Sequence, residues 1–359
     1  MRVLLWFLAG LAVVVVDGAP AAAQFGAAIP PSVSRPEHRD SMDYDVRVAV
    51  SGRVLLDDRQ PPPEPIPVEY SCRGASRATL TDAKGRFSIG IDYQQAGRTN
   101  LSYNLPDVAG CRVQIRLPGF EEVLVTLKRP QALSDLNVGD LTLKPAGLQG
   151  AAVFSASGRN APGKARVNYV RALDAINTGK YPEALASLDK AIAAYPEYAA
   201  ALELKGGVLE LMGQAEAARE AYRQAAAADP AYAKPLVQLA EMAAGEQNAA
   251  EAARWAGMAN RLVPGAYPSV YLIEAGADFD LNRIDDADKA VRAGIDADPK
   301  CVYPGLRKLL GEVLYRKHSY AGALEQFEWY LKEAPAAADI GTVQERVRSC
   351  QKLVKTTNK

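Results

Sequence analysis

Four cysteines and two histidines are all that this 359-residue chain holds for thiol or imidazole chemistry. The cysteines fall two and two, Cys72 and Cys111 in the first half and Cys301 and Cys350 in the second, and nothing resembles the paired spacing of a zinc site. His38 sits between Glu37 and Arg39 in a polar stretch and His318 sits at a turn between helices, so both read as solvated loop residues. Neither Cys301 nor Cys350 has a neighbouring histidine in sequence to activate it as a nucleophile. Acidic pairs such as Asp285-Asp286 stand at helix starts, where the helix dipole favours negative charge. No nucleophile elbow, zinc-protease motif, phosphate loop or dinucleotide fingerprint is present. The expectation is a non-enzymatic protein that uses no metal or cofactor.

Composition narrows the partners. Lys plus Arg equals Asp plus Glu, 42 each, so no net field draws nucleic acid or an anionic membrane. At 48% hydrophobic and 23% charged the chain is globular, with length for two modest domains. At the amino terminus Arg2 precedes an apolar run from Val3 to Val16 and the stretch Ala21-Ala22-Ala23. That run is shorter than the ~20 residues needed to cross a bilayer. Residues 1–23 therefore read as a signal peptide cleaved before Gln24, with an uncleaved anchor as the rival reading. Residues 24–43 read as a flexible spacer. The mature chain is expected to carry no transmembrane segment and to be periplasmic or secreted.

From Tyr44 to Leu143 short alternating runs are broken by turn signals. The runs are Val46 to Leu56, Val68 to Cys72, Ala78 to Thr81, Arg86 to Ile91, Cys111 to Leu117, Val123 to Leu127 and Val138 to Leu143. They predict a small antiparallel β-sandwich over residues 44–144. Asp82 and Gly85 supply what a tight strand connection needs, and Phe87 faces a core. Val50, Gly52 and Val54, the proline-led strand from Pro65 to Val68, Thr81-Asp82-x-x-Gly85-x-Phe87 and Leu117-Pro118-Gly119-Phe120 together resemble the carboxypeptidase regulatory-like, prealbumin-like (transthyretin-type) domain of bacterial exported proteins. The resemblance implies an accessory or docking module and brings no catalytic residues. Cys72 and Cys111 flank strands of this one sandwich, so export would favour a disulfide between them, worth ~3–4 kcal/mol for a loop of this length.

Residues 145–164 lose the strand pattern and read as an interdomain linker, with Ala151 to Phe154 apolar enough to dock on a neighbour. From Ala165 the period becomes helical and the sequence repeats itself. Prolines stand at 196, 230, 264, 299 and 335, in steps of 34, 34, 35 and 36. Ahead of each stands a small residue, at Ala184, Ala218, Ala252, Ala287 and Ala323, followed four positions later by Leu188, Tyr222, Ala256, Val291 and Phe327. This is the tetratricopeptide signature. It predicts an all-α solenoid of about five repeats over residues 165–335, followed by a capping helix and tail over 336–359. The small residues let paired helices approach, the larger ones are expected to fill the gap to the next unit, and Ala256 should leave a looser joint. Gly179 and Gly213 end first helices in a left-handed turn. Cys301 and Cys350 should not reach one another.

Aligning the repeats places Tyr169, Leu173, Ile176, Glu203, Glu210, Gln238, Glu241, Leu272, Phe279, Asp280, Glu312, Tyr315 and Arg316 on the concave wall lined by first helices. Such walls take peptides or helices of protein partners. The excess of carboxylates points to a basic or amphipathic partner, and the Lys/Asn cluster that grips C-terminal carboxylates is absent. The whole arrangement resembles a bacterial exported family of unknown activity, and the resemblance implies only a scaffold. A second reading gives the sandwich to cell-envelope polysaccharide, with Tyr70, Tyr93, Tyr103 and Phe120 as the aromatic rings able to stack on sugar.

Overall fold

The structure is a computed structural model that describes residues 48–91, 108–130, 136–146 and 154–357. The expected signal peptide and spacer, His38, Tyr93, Tyr103 and Ala151 to Val153 lie outside the described residues. The chain divides between Ala231 and Tyr232 into two compact units.

The first unit begins with seven strands: β1 Val48–Leu56, β2 Pro67–Cys72, β3 Ala75–Leu80, β4 Arg86–Ile91, β5 Arg112–Ile115, β6 Val123–Thr126 and β7 Asn137–Leu143. They form two sheets, ordered β4-β1-β7 and β3-β2-β5-β6. Alternation on each strand sends Val50, Val54, Phe87, Ile89, Leu141 and Leu143 from one sheet and Val68, Tyr70, Val113 and Ile115 from the other into a single core. One pairing departs from the antiparallel expectation. β1 runs parallel to β7, with Val54 opposite Leu141, because the chain crosses from one sheet to the other before it returns.

The turn before β4 is built as its residues require. Asp82 Oδ1 accepts the backbone N–H groups of Lys84 and Arg86 at 2.8 and 2.9 Å. Gly85 has φ 75°, and a Cβ there would lie 2.2 Å from the Val54 carbonyl oxygen. Cys72 and Cys111 extend the β2–β5 register by one pair and are joined in a disulfide with Cα atoms 4.5 Å apart.

The expected linker is partly structural. Phe154 is buried in the sandwich core, its ring centroid 5.5 Å from that of Phe120. A short helix, α1 Ala156–Asn160, follows. Four longer helices, α2 Gly163–Asn177, α3 Tyr181–Ala194, α4 Ala199–Leu211 and α5 Ala215–Ala228, make two antiparallel hairpins. A buried polar network joins these pieces. The Ser155 N–H donates to Glu64 Oε1 at 2.8 Å, while the Ser155 hydroxyl and the Ala156 N–H both donate to Asp229 Oδ2, at 2.9 and 2.8 Å. The Ala199 N–H donates to Ser157 Oγ at 3.0 Å. Strand loop, linker, second repeat and its closing residue are thereby tied within one unit.

The second unit holds α6 Lys234–Gly245, α7 Ala249–Leu262, α8 Pro268–Asp280, α9 Ile284–Ala297, α10 Gly305–Arg316, α11 Tyr320–Glu333 and the cap α12 Ile340–Thr357. Hairpins α6/α7, α8/α9 and α10/α11 continue the tetratricopeptide pattern, and each second helix stops just before its proline. First helices end on left-handed residues: Gly179, Gly213, Gln247, Asn282 and His318 have φ 71, 74, 58, 59 and 59°. The small residues of the second helices, Ala184, Ala218, Ala252, Ala287 and Ala323, are all buried at 2% exposure or less.

The larger residues act within their own hairpin as well as toward the next repeat: Leu188 shares a core with Ala200, Ala201, Leu204 and Val208 of α4, and Val291 shares one with Leu306 and Leu310 of α10. A Cβ at Gly206 would lie 2.5 Å from the Tyr222 ring, and one at Gly311 would lie 2.6 Å from the Phe327 ring. In every repeat the small residue of the first helix precedes its partner by 16 positions: Ala172 and Leu188, Gly206 and Tyr222, Ala240 and Ala256, Ala275 and Val291, Gly311 and Phe327. Glycine faces the aromatic rings, and alanine faces the smaller side chains. At the joint expected to be loose, Ala240 and Ala256 are both fully buried.

Candidate functional site

The thirteen residues expected on one wall fare differently in the two units. In the first, Tyr169 is buried at 5% exposure, its ring 5.3 Å from that of Tyr198. Burial, with the Glu64 carboxylate next in weight, holds its hydroxyl well above the ordinary tyrosine range. Leu173 and Ile176 are half-buried against the same core. Glu203 is buried at 2% exposure, and Glu210 accepts the Tyr222 hydroxyl at 3.0 Å.

Tyr169 and Glu203 are therefore corrected from wall to core. The cause for Glu203 is that α1, α3 and α5 all pack on α4. A signal for this was present in the sequence. Ala199 to Leu211 carries only Glu203, Lys205 and Glu210 as charges, and a helix apolar nearly all round is a buried one.

In the second unit Gln238 is buried at 9% exposure and is also corrected to the interior. Glu241 and Leu272 are half-buried, and Leu272 packs toward α10, where a Cβ at Gly305 would lie 3.4 Å from its Cδ2. The remaining residues come together on α8 and α10. The Arg316 guanidinium lies over the Phe279 ring at 5.4 Å and donates to Asn282 Oδ1 at 2.5 Å. Asp280 and Arg316 are exposed, Phe279 and Tyr315 half-buried.

The cap adds a part that alignment of the repeats did not foresee. Arg346 of α12 donates to Glu312 Oε1 at 2.9 Å and places its guanidinium 5.0 Å from the Tyr315 ring centroid. Burial still pushes the Glu312 carboxyl above its ordinary range, against the opposing pull of Arg346. Gly276, one turn from both Leu272 and Phe279–Asp280, is buried, and a Cβ there would meet nothing within 4 Å. The arrangement is a strip of Leu272, Phe279 and Tyr315 interleaved with two guanidinium groups and one exposed carboxylate.

Such a strip offers apolar contact, stacking and charged hydrogen bonds to a peptide. It holds no nucleophile with a base in reach. His318 bonds through Nδ1 to the Tyr320 hydroxyl at 2.7 Å in the α10–α11 turn. Among the described residues no group of three His, Cys, Asp or Glu side chains could hold a metal, and no helix is long and apolar enough to cross a membrane. Of the four aromatic rings named for sugar, Tyr70 lies in the sandwich core and Phe120 packs on Phe154, while Tyr93 and Tyr103 lie outside the described residues.

The tetratricopeptide repeat family model matches residues 169–233 and 274–338. A search of the curated proteins finds no match. Among solved structures, MamA from Desulfovibrio magneticus RS-1 is 16% identical, with 50% of this chain and 99% of that chain covered at a TM-score of 0.43. PilW, a widely conserved type IV pilus biogenesis factor, is 16% identical, with 54% and 91% covered at a TM-score of 0.41. YrrB, a tetratricopeptide protein with an unusual peptide-binding site, is 16% identical, with 50% and 90% covered at a TM-score of 0.44.

Proposed function

We propose that this chain is an exported, non-enzymatic scaffold that binds a segment of a partner protein on the α8–α10 strip of its second unit. The observation that carries the reading is Arg316 lying over Phe279 beside the exposed Asp280. Aromatic and arginine side chains are the usual anchors of protein recognition. The described carboxylates do not dominate the wall, since Glu203 is buried and Glu312 is matched by Arg346. The partner segment is therefore amphipathic and carries an acidic group for Arg316 as well as a basic one for Asp280.

Export is supported by Arg2, the apolar run to Val16 and the small residues before Gln24, together with a disulfide suited to an oxidising compartment. Capture of partners from an envelope extract by the mature chain tests the reading. Phe279→Ala combined with Arg316→Glu should remove the captured proteins while the circular dichroism stays that of the parent, the exposed change Arg316→Glu alone shifting stability by no more than about 0.5 kcal/mol. Capture that is unaffected by the pair would move the binding surface off this strip.

A further inference from the structure

The face of α2 that carries Val167 and Val170 is exposed, at 59% and 38%. Register with the other repeats identifies what kind of face it is. Val167, Val170 and Asp174 correspond to Ala201, Leu204 and Val208 in the second repeat, to Val270, Ile273 and Ala277 in the fourth, and to Leu306, Leu309 and Val313 in the fifth. Ala201, Val208, Val270, Ala277, Leu306 and Val313 are buried at 6% exposure or less. In each of those repeats the second helix of the preceding repeat packs on the first helix: α3 on α4, α7 on α8 and α9 on α10.

The charge pattern beside this face specifies its occupant further. Lys205 on α4 pairs with Asp189 of the overlying α3 at 2.7 Å. The residue in register with Lys205 is Arg171, exposed on α2 and flanked along the helix by Lys164 and Arg166, also exposed. A terminal repeat that only had to meet water would carry polar residues at these positions. Two valines beside a cationic rim instead repeat two of the three positions of an internal stacking joint, and the third is the exposed Asp174, where the internal repeats bury Val208, Ala277 and Val313.

We propose that the Val167–Val170–Arg171 face of α2 is a second docking surface, and that it takes an acidic amphipathic helix of a partner protein, laid on α2 as α3 is laid on α4. This surface is separate from the α8–α10 strip and stands whether or not that strip binds a partner. The aspartate or glutamate of the incoming helix pairs with Arg171, as Asp189 pairs with Lys205. Its apolar stripe covers the two valines.

The test uses the full-length chain and a fluorescent peptide of α3, residues 181–194, as the probe. Because so short a helix is marginal in water, the peptide is stapled between positions 186 and 190, which are exposed in the parent structure. Saturable binding is expected, weakened by roughly tenfold or more in Val167→Asp and in Val170→Asp. Arg171→Glu should weaken the native peptide, and a peptide with Asp189→Lys should recover that loss on Arg171→Glu alone, a charge exchange that general misfolding does not imitate. Circular dichroism of each variant should match the parent. Binding that is absent at about 100 µM peptide, or unchanged in both valine variants, overturns the proposal. Self-association of the chain that Val167→Asp abolishes assigns the face to a second copy and overturns it equally.

Discussion

The ring of Tyr222 occupies the space that a Cβ on Gly206 would need, with ring carbons 2.5 and 2.6 Å from that position. A side chain of the second helix is thus matched to a missing side chain on the first, and the two helices of the repeat close around the pair. Gly206→Ala should cost ~1–3 kcal/mol by overpacking, partly offset by the better helix propensity of alanine. Adding Tyr222→Leu recreates the Ala172–Leu188 pair of the first repeat and should recover most of the loss. Gly276→Ala, where the new methyl group meets no atom within 4 Å, should stabilise by ~0.5–1 kcal/mol. Chemical denaturation of the three variants checks the set, and equal effects at Gly206 and Gly276 would refute it.

Thiol counting distinguishes the four cysteines. Cys301 is exposed, Cys350 is buried, and Cys72 is bonded to Cys111. Unreduced native protein should show one fast-reacting thiol, denatured unreduced protein two, and reduced denatured protein all four. Replacing both Cys72 and Cys111 by serine should cost ~2–5 kcal/mol. The same preparation from the native host, analysed by intact mass, should begin at or near Gln24; retention of residues 1–23 would argue for an anchor.

The contribution of Glu274 to the stability of the second unit should fall as pH rises through the weakly acid range. Glu274 carries a carboxyl raised above its ordinary value by burial, with the Asn260 amide bond at 2.6 Å opposing that shift. A folded-state pKa above the unfolded one means that the native state binds the proton more tightly. Its contribution is then complete below the unfolded carboxylate range and is lost as pH rises through the folded value. Glu274→Gln keeps an acceptor for Asn260 and removes the titration. The variant should melt a few degrees above the parent at pH 7 and level with it near pH 4. A parallel shift at both pH values would place the effect in packing instead.

Asp229 binds Ser155 and Ala156, so cutting the chain at residue 164 removes partners from a buried carboxylate. Asp229→Ala in the intact chain should cost ~1–3 kcal/mol, because the Ser155 hydroxyl and the Ala156 N–H are left buried without it. Amide exchange at the start of α4, where Ala199 bonds Ser157, should quicken in a chain beginning at residue 164. Unchanged protection there would show that the repeats do not depend on the segment before them.

The repeats were legible because their signals are local. A proline after each second helix and an alanine at each close approach need no knowledge of distant partners. The strands of the sandwich were legible for the same reason, but the parallel pairing of β1 with β7 was not, since it joins residues nearly the whole domain apart. The wall was readable as a helix face and unreadable as a surface. Whether Glu203 meets water depends on α1 lying over α4, and whether Glu312 is free depends on Arg346 arriving from the cap. Neither contact leaves a mark in the spacing of the repeat itself.

The parallel joint sets an order on folding. β1 pairs on one side with β4, within Val48 to Ile91, and on the other with β7, which ends at Leu143. A chain synthesised from its amino terminus thus carries β1 with one open edge until the last strand has emerged, while each helical hairpin downstream closes through contacts local to itself. An open strand edge is a template for pairing with other chains. The sandwich is consequently the stretch of nascent chain most exposed to misassembly, and shielding before residue 143 is complete should raise the folded yield more than shielding at any later point.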